Sequence, residues 1–209
     1  MAVIALVGNK GGAGKTTLAV NLAAALARRG ATAVLDVDPQ GSALQWRAFI
    51  DHDRAPPVFG PEGDELEGQV AVLRRRFEHL VVDCPPSVHA PATDAALRVV
   101  ELALIPVQPS PVDLWATVHV ERAVAEARET NPGLEAMLVI NQLEPRTTLS
   151  RLMREALAEL ELPVATTAIR RRAIYRNTAL EGRTVYDAGR RGAAAAAEVD
   201  ELINEVIRP

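Results

Sequence analysis

Lysine is nearly missing from this chain: of 23 basic residues only Lys10 and Lys15 are lysines, and all the others are arginine. Arginine therefore serves wherever a positive charge alone is needed. Two lysines confined to Lys10–Thr17 mark a place that requires a compact ammonium on a flexible stem. Cysteine is scarcer still, and the single Cys84 excludes an intramolecular disulfide and a zinc cluster built on thiolates. Aromatic residues make up 3% of a chain that is 48% hydrophobic, so Ala, Val and Leu must carry the packing. No apolar run approaches the roughly 18 residues of a spanning helix. The apolar start has no basic region before it and no cleavage site after it. These absences predict a soluble, cytoplasmic protein.

The net charge of −4 argues against a strongly basic nucleic-acid binder, but its distribution is uneven. Asn141 to Gly192 holds ten arginines and six acidic residues, a net +4 that leaves −8 for the rest. A local basic face on an acidic protein follows. With 209 residues and no compositional break, 1–209 is expected to form a single domain.

Apolar runs at 2–7, 32–37, 79–83, 101–107 and 136–141 read as strands, with short ones near Val58 and at 164–169. Helices are expected at 16–29, 65–77, 91–99, 113–130, 147–161 and 190–207, the first with a glycine stop at Gly30. The Pro- and Gly-rich stretch 51–63 reads as loop. Strands alternating with helices predict an α/β fold with a doubly wound, mostly parallel sheet flanked by helices. Ligands on such sheets bind at the carboxyl ends of the strands. Four polar segments fall there: Gly8–Thr16, Asp36–Gln40, Asp83–Pro86 and Asn141.

The first is a phosphate loop. Gly11, Gly12, Ala13 and Gly14 allow a tight turn whose N–H groups converge on an anion, and the helix that follows adds the positive end of its dipole. Lys15 then reaches the β and γ phosphates of ATP, Thr17 continues the loop into the helix, and the Thr16 hydroxyl ligates Mg²⁺. The pattern G-x-x-x-x-G-K-[ST] is not met in full, because Asn9 holds the position of its first glycine. Asp36 and Asp38 flank Val37 after the second strand. Either both face the nucleotide, as residues two apart on a strand do, or Asp36 ties down the loop while Asp38 orients water. Asp83 ends an apolar strand as a Walker B aspartate does, binding Mg²⁺ directly or through water. Cys84 beside it reads as a small packed side chain.

Lys10-Gly11-Gly12-Ala13-Gly14-Lys15-Thr16-Thr17, Asp36-Val37-Asp38-Pro39-Gln40-Gly41 and Asp83-Cys84-Pro85-Pro86 together resemble the ParA/MinD family of deviant Walker ATPases. Gln108-Pro109-Ser110-Pro111-Val112-Asp113-Leu114-Trp115, Tyr175-Arg176-Asn177 and Glu181–Asp187 are similar to small ParA-type partition proteins. The resemblance implies that Lys10 reaches across a dimer interface to the partner's nucleotide, giving an ATP-sandwich homodimer. It implies that Asp38 positions the attacking water, Thr16 and Asp83 hold Mg²⁺, and Asn141 contacts adenine. It also implies slow ATP hydrolysis stimulated by a ParB-like or other small partner protein.

The chain opens directly on its first strand, so an added DNA-reading domain is not expected. The acidic tail from Glu198 argues against membrane attachment of the MinD kind, and one cysteine cannot ligate the cluster of a nitrogenase-type iron protein. Non-specific DNA binding and a nucleoid location remain, with Arg170, Arg171, Arg172, Arg176, Arg190 and Arg191 as phosphate-contacting candidates. The alternatives are a metabolic P-loop ligase of the dethiobiotin-synthase type and a membrane-associated positioning ATPase.

Overall fold

The computed structural model describes residues 2–49, 55–62 and 65–207. Six strands, β1 (Ala2–Leu6), β2 (Thr32–Asp36), β3 (Val58–Phe59), β4 (His79–Asp83), β5 (Leu102–Val107) and β6 (Glu135–Ile140), form one sheet in the order β3-β2-β4-β1-β5-β6. Every pairing is parallel. The helices are α1 (Lys15–Leu26), α2 (Ser42–Ala48), α3 (Leu66–Leu73), α4 (Pro91–Val99), α5 (Pro111–Arg128), α6 (Thr148–Leu157), α7 (Ala173–Leu180) and α8 (Ala193–Val206), with a 3-10 helix over Val185–Arg191.

Period-two alternation along each strand feeds two cores. Val3, Ala5 and Val7 pack with α3, α4, α5 and α6, whereas Ala2, Ile4 and Leu6 pack with α1, α2, α7 and α8. Burial on both faces explains why the strands read as continuous apolar runs. The small Ala side chains of α1 let that helix sit close on the sheet, and Asn21 ties it to the C-terminal third. Asn21 donates to the Thr17 carbonyl at 2.7 Å and accepts from the Val185 N–H at 3.0 Å.

Three local expectations are corrected. The segment 164–169 is not a continuous strand: two isolated parallel bridges, Leu138 to Val164 and Leu143 to Arg170, join it to the neighbouring chain, with backbone bonds at Ala165 and Ile169. Several of its N–H groups go instead to carboxylates of α8, those of Thr166 and Thr167 to Glu205 and that of Arg170 to Glu198. Gly30 is not a left-handed helix stop. It has no positive φ, and its missing side chain makes room for the Glu78 carboxylate, which lies 2.8 Å from where a Cβ would stand. Two short helices, α2 and α7, form where no periodicity announced them. The expected 51–63 loop falls partly on residues 51–54 and 63, outside the described residues.

Candidate functional site

The site lies at the carboxyl edge of the sheet, where β2, β4, β1, β5 and β6 end side by side. Between β1 and α1 the loop reverses direction through Gly12 (φ 80) and Gly14 (φ 87), the latter capping α1 without any side-chain help. Carbonyls of the loop are anchored outward. Gly12 accepts from the side-chain amides of Gln108 and Gln142, and Ala13 accepts from Asn141 Nδ2 at 2.7 Å. Because a peptide's C=O and N–H point in opposite directions, this anchoring commits the adjoining N–H groups to the interior of the turn. Lys15 is buried, and its ammonium donates to the Lys10 carbonyl at 3.2 Å. Burial lowers its pKa, and the Asp83 carboxylate is the largest opposing influence.

Gly14 has no room for a side chain. A Cβ there would stand 2.5 Å from Asn141 Nδ2, in a backbone region L-residues avoid. Gly14→Ala is therefore expected to cost roughly 1–3 kcal/mol in backbone strain alone and to push Asn141 off the Ala13 carbonyl. Calorimetric titration with ADP should show at least about a tenfold loss of affinity, equivalent to 1.4 kcal/mol; wild-type affinity would show that the loop tolerates the displacement.

The two aspartates after β2 divide their work. Asp36 is fully buried and its carboxylate accepts from the N–H groups of Asp38, Ala43 and Leu44, so it ties the loop to the first turn of α2. Burial raises its pKa against those three bonds. The strand has ended by Asp38, so the shared-face alternative does not hold. Asp38 is half-buried and opens on a groove of about 530 Å³ with Gly11, Lys15, Thr16 and Arg183. Asp83 pairs in register with Asp36 across β2 and β4. It is buried, and neither carboxylate oxygen has a hydrogen-bond partner. Burial pushes its pKa up to about 7 against the pull of the nearby Thr16 hydroxyl, with Asp36 adding to the rise.

Two orphaned buried oxygens beside a threonine hydroxyl suit a hard cation. Mg²⁺ takes one or two carboxylates and completes its shell with water and phosphate oxygens. No cluster of three or more His, Cys, Asp or Glu suited to a metal occurs among the described residues. Cys84 is wholly buried in the core with its thiol pKa pushed up, as a packed side chain.

A second cavity of about 180 Å³ is lined by Asn141, Tyr175 and Arg170–Arg172, and shares Gly14 and Thr17 with the groove. Four of the six arginine candidates, Arg170, Arg171, Arg172 and Arg176, thus border one cavity, while Arg190 and Arg191 lie exposed at the end of the 3-10 helix. The first three are paired in cis: Arg170 and Arg172 with Glu198, Arg171 with Glu144. Lys10 points away from the interior of the loop, and its ammonium meets the buried Asp113 carboxylate at 2.8 Å. Asp113 sits in the first turn of α5 behind the N-cap Ser110, whose hydroxyl donates to the same carboxylate at 2.6 Å. Sequence reasoning quoted this segment but assigned no role to Asp113, Gln108 or Gln142. The Ser-Pro-x-Asp capping pattern was the available signal for Asp113; the two glutamines had none.

A family model described as the CobQ/CobB/MinD/ParA nucleotide binding domain matches residues 4–185. The chain belongs to this family. Within the CobQ/CobB/MinD/ParA group it is 40% identical over 206 residues to maintenance of carboxysome distribution protein A of Halothiobacillus neapolitanus, covering 98% of this chain and 95% of that one. Cobyrinic acid a,c-diamide synthase from Mycobacterium smegmatis with bound ADP and magnesium matches with a TM-score of 0.75 at 22% identity, over 94% of this chain and 91% of that one. The cell division ATPase MinD of Pyrococcus furiosus matches with a TM-score of 0.76 at 23% identity, over 99% of both chains. The last two share the fold alone, which a biosynthetic enzyme and a division ATPase evidently use equally. The sequence likeness over 98% of the chain places it with the small ParA-type positioning ATPases. No helix among the described residues is long and apolar enough to cross a membrane.

Proposed function

We propose that residues 1–209 act as one ATP-switched unit that dimerises around two ATP molecules, rides non-specific DNA and positions a protein cargo. Within it Lys15 and the loop N–H groups hold the β and γ phosphates, and Thr16 and Asp83 hold Mg²⁺, which neutralises developing phosphate charge when bound. Asp38, open to the groove, orients the attacking water. Asn141 forms the floor of the nucleoside pocket. The full-length relative named for carboxysome distribution supports a microcompartment as cargo over a plasmid or chromosomal origin. A ParB-like or other small partner would stimulate hydrolysis, and the location would be the nucleoid.

One observation carries the sandwich. Of the two lysines in the loop, Lys15 is buried inside it, whereas the Lys10 side chain is 41% exposed and directed outward. An ammonium that leaves its own phosphate cradle is placed to neutralise charge on a second copy. The arginines give the DNA reading its surface, and dimerisation would double that surface and raise its avidity.

Light scattering and a gel shift on unrelated duplex DNA test this reading together. With ATP, an Asp38→Ala variant is expected to accumulate as a dimer that retains DNA in a salt-sensitive manner, and with ADP as a monomer that does not. Replacing Arg170–Arg172 with Glu should abolish retention even at ATP concentrations that saturate the variant and keep it dimeric. A chain that stays monomeric with ATP refutes the sandwich, and unaltered retention in the triple Glu variant moves the DNA face elsewhere.

A further inference from the structure

The outer wall of the nucleoside cavity is an unusual construction. The chain from Val164 to Arg172 borders β6 through two isolated bridges, with backbone hydrogen bonds at Ala165, Ile169 and Arg171. Its other side is held by α8, through carboxylates about two turns apart on one face of that helix. Glu205 accepts from the N–H groups of Thr166 and Thr167 at 2.6 and 2.9 Å. Seven residues earlier Glu198 accepts from the Arg170 N–H at 3.2 Å, grips the Arg172 guanidinium with both oxygens at 2.6 and 3.2 Å, and lies 3.4 Å from Arg170 Nε. Tyr175, which also faces the cavity, adds a bond from its hydroxyl to the Ala195 carbonyl of α8 at 3.4 Å.

We infer that Glu198 is a positioning residue for nucleoside binding. A buried carboxylate, 8% exposed, has been given two arginines and a backbone N–H that all belong to the cavity wall. Charge-assisted, two-pronged bonds of this kind fix a planar guanidinium in orientation as well as distance. Backbone bonds of Ile169 with Ile140 and Leu143, and of Arg171 with Leu143, hold this chain beside the sheet, and the carboxylate sets how the Arg170 and Arg172 side chains stand relative to Gly14 and Asn141 across the cavity. That spacing is what a base and ribose must fit. The phosphate loop, by contrast, is held through hydrogen bonds from Asn141, Gln108 and Gln142 to the Gly12 and Ala13 carbonyls. Glu198 therefore acts on the nucleoside half of the ligand and leaves the phosphate half alone.

This inference rests on the nucleoside lying in the cavity of Gly14, Asn141 and Arg170–Arg172. The test uses the full chain, with ADP and inorganic tripolyphosphate as probes, each with Mg²⁺, in calorimetric titrations. Glu198→Ala is expected to weaken ADP about tenfold and leave tripolyphosphate unchanged. Glu198→Gln, which keeps the shape but loses the charge, should fall between. Arg172→Gln should reproduce the effect from the other side of the pair, and should do so even if Glu198→Ala fails to fold. For Glu198→Ala, hydrolysis at saturating ATP should keep its kcat while KM rises. Equal losses for both probes, or wild-type ADP affinity in folded variants, would overturn the assignment. Ala179→Trp, which puts bulk at the exposed cavity mouth, separates the two failures. If it blocks ADP while Glu198→Ala does not, the nucleoside placement stands and the positioning role falls; if neither variant affects ADP, the placement itself fails.

Discussion

An Asp83→Asn variant is expected to lose Mg²⁺-dependent ATP hydrolysis by about 100-fold or more while its nucleotide-free form becomes more stable at pH 8. Both effects come from one carboxylate. Asp83 is buried between β1 and β2 with no hydrogen-bond partner for either oxygen, and burial raises its pKa from 3.8 to about 7. A carboxyl whose folded-state pKa is raised stabilises the fold fully below its unfolded pKa, and that contribution is lost as pH rises through about 7. The gap amounts to roughly 4 kcal/mol. Thermal melts of the nucleotide-free wild type should therefore fall between pH 5 and 8. The Asn variant should show a much shallower decline, its remaining slope belonging to Asp36, whose pKa burial also raises. Mg²⁺ requires the ionised carboxylate, so Mg²⁺–ADP affinity of the wild type should move the opposite way and strengthen across the same range. Identical melting curves for the two proteins, or wild-type turnover in the variant, would remove Asp83 from the metal site.

Lys10→Ala should separate nucleotide binding from assembly. ADP affinity is expected to stay within about threefold, because Lys15 and the loop N–H groups remain, and 0.6 kcal/mol is the most such a change would represent. ATP-dependent dimerisation should weaken by about 100-fold or more if each copy supplies an ammonium to its partner's phosphates. The same substitution strips the buried Asp113 carboxylate of its cation and leaves it the Ser110 hydroxyl. With Lys10 partly exposed, that loss should destabilise the monomer by about 1–2 kcal/mol after solvent screening. Asp113→Asn gives the opposite assembly phenotype: Lys10 is freed from its own chain, and the dimer should form at lower ATP concentration. Light scattering across an ATP series reads both variants. Unchanged dimerisation in Lys10→Ala would refute the sandwich, and unchanged dimerisation in Asp113→Asn would show that the cis pair does not compete with it.

The parts of this protein that could be read in advance are those written in contiguous residues. Gly11–Thr17 turns through its own glycines, and Leu80–Asp83 announces a buried strand with a charge at its end. Local conformation and burial of this kind depend on neighbours one to four positions away. The segment 164–169 misled for the complementary reason. Its apolar composition is that of a strand, but between its backbone bonds to Leu138 and Ile140 the N–H groups of Thr166 and Thr167 turn to Glu205, on a helix about 40 residues away. Asp36 was likewise ambiguous, since its cap on α2 requires the chain to fold back on itself over seven and eight positions.

Motif chemistry, strand order along the chain and the confinement of lysine to one loop all belong to the linear code. Which of the two lysines is buried, what holds Lys10, and what walls the cavity beside Gly14 were decided only when the sheet brought remote segments together. Lys10 meets Asp113 across 103 positions and Ala13 meets Asn141 across 128. Such contacts have no local periodicity, because they are set by which strands lie side by side, and that order is a property of the packed sheet.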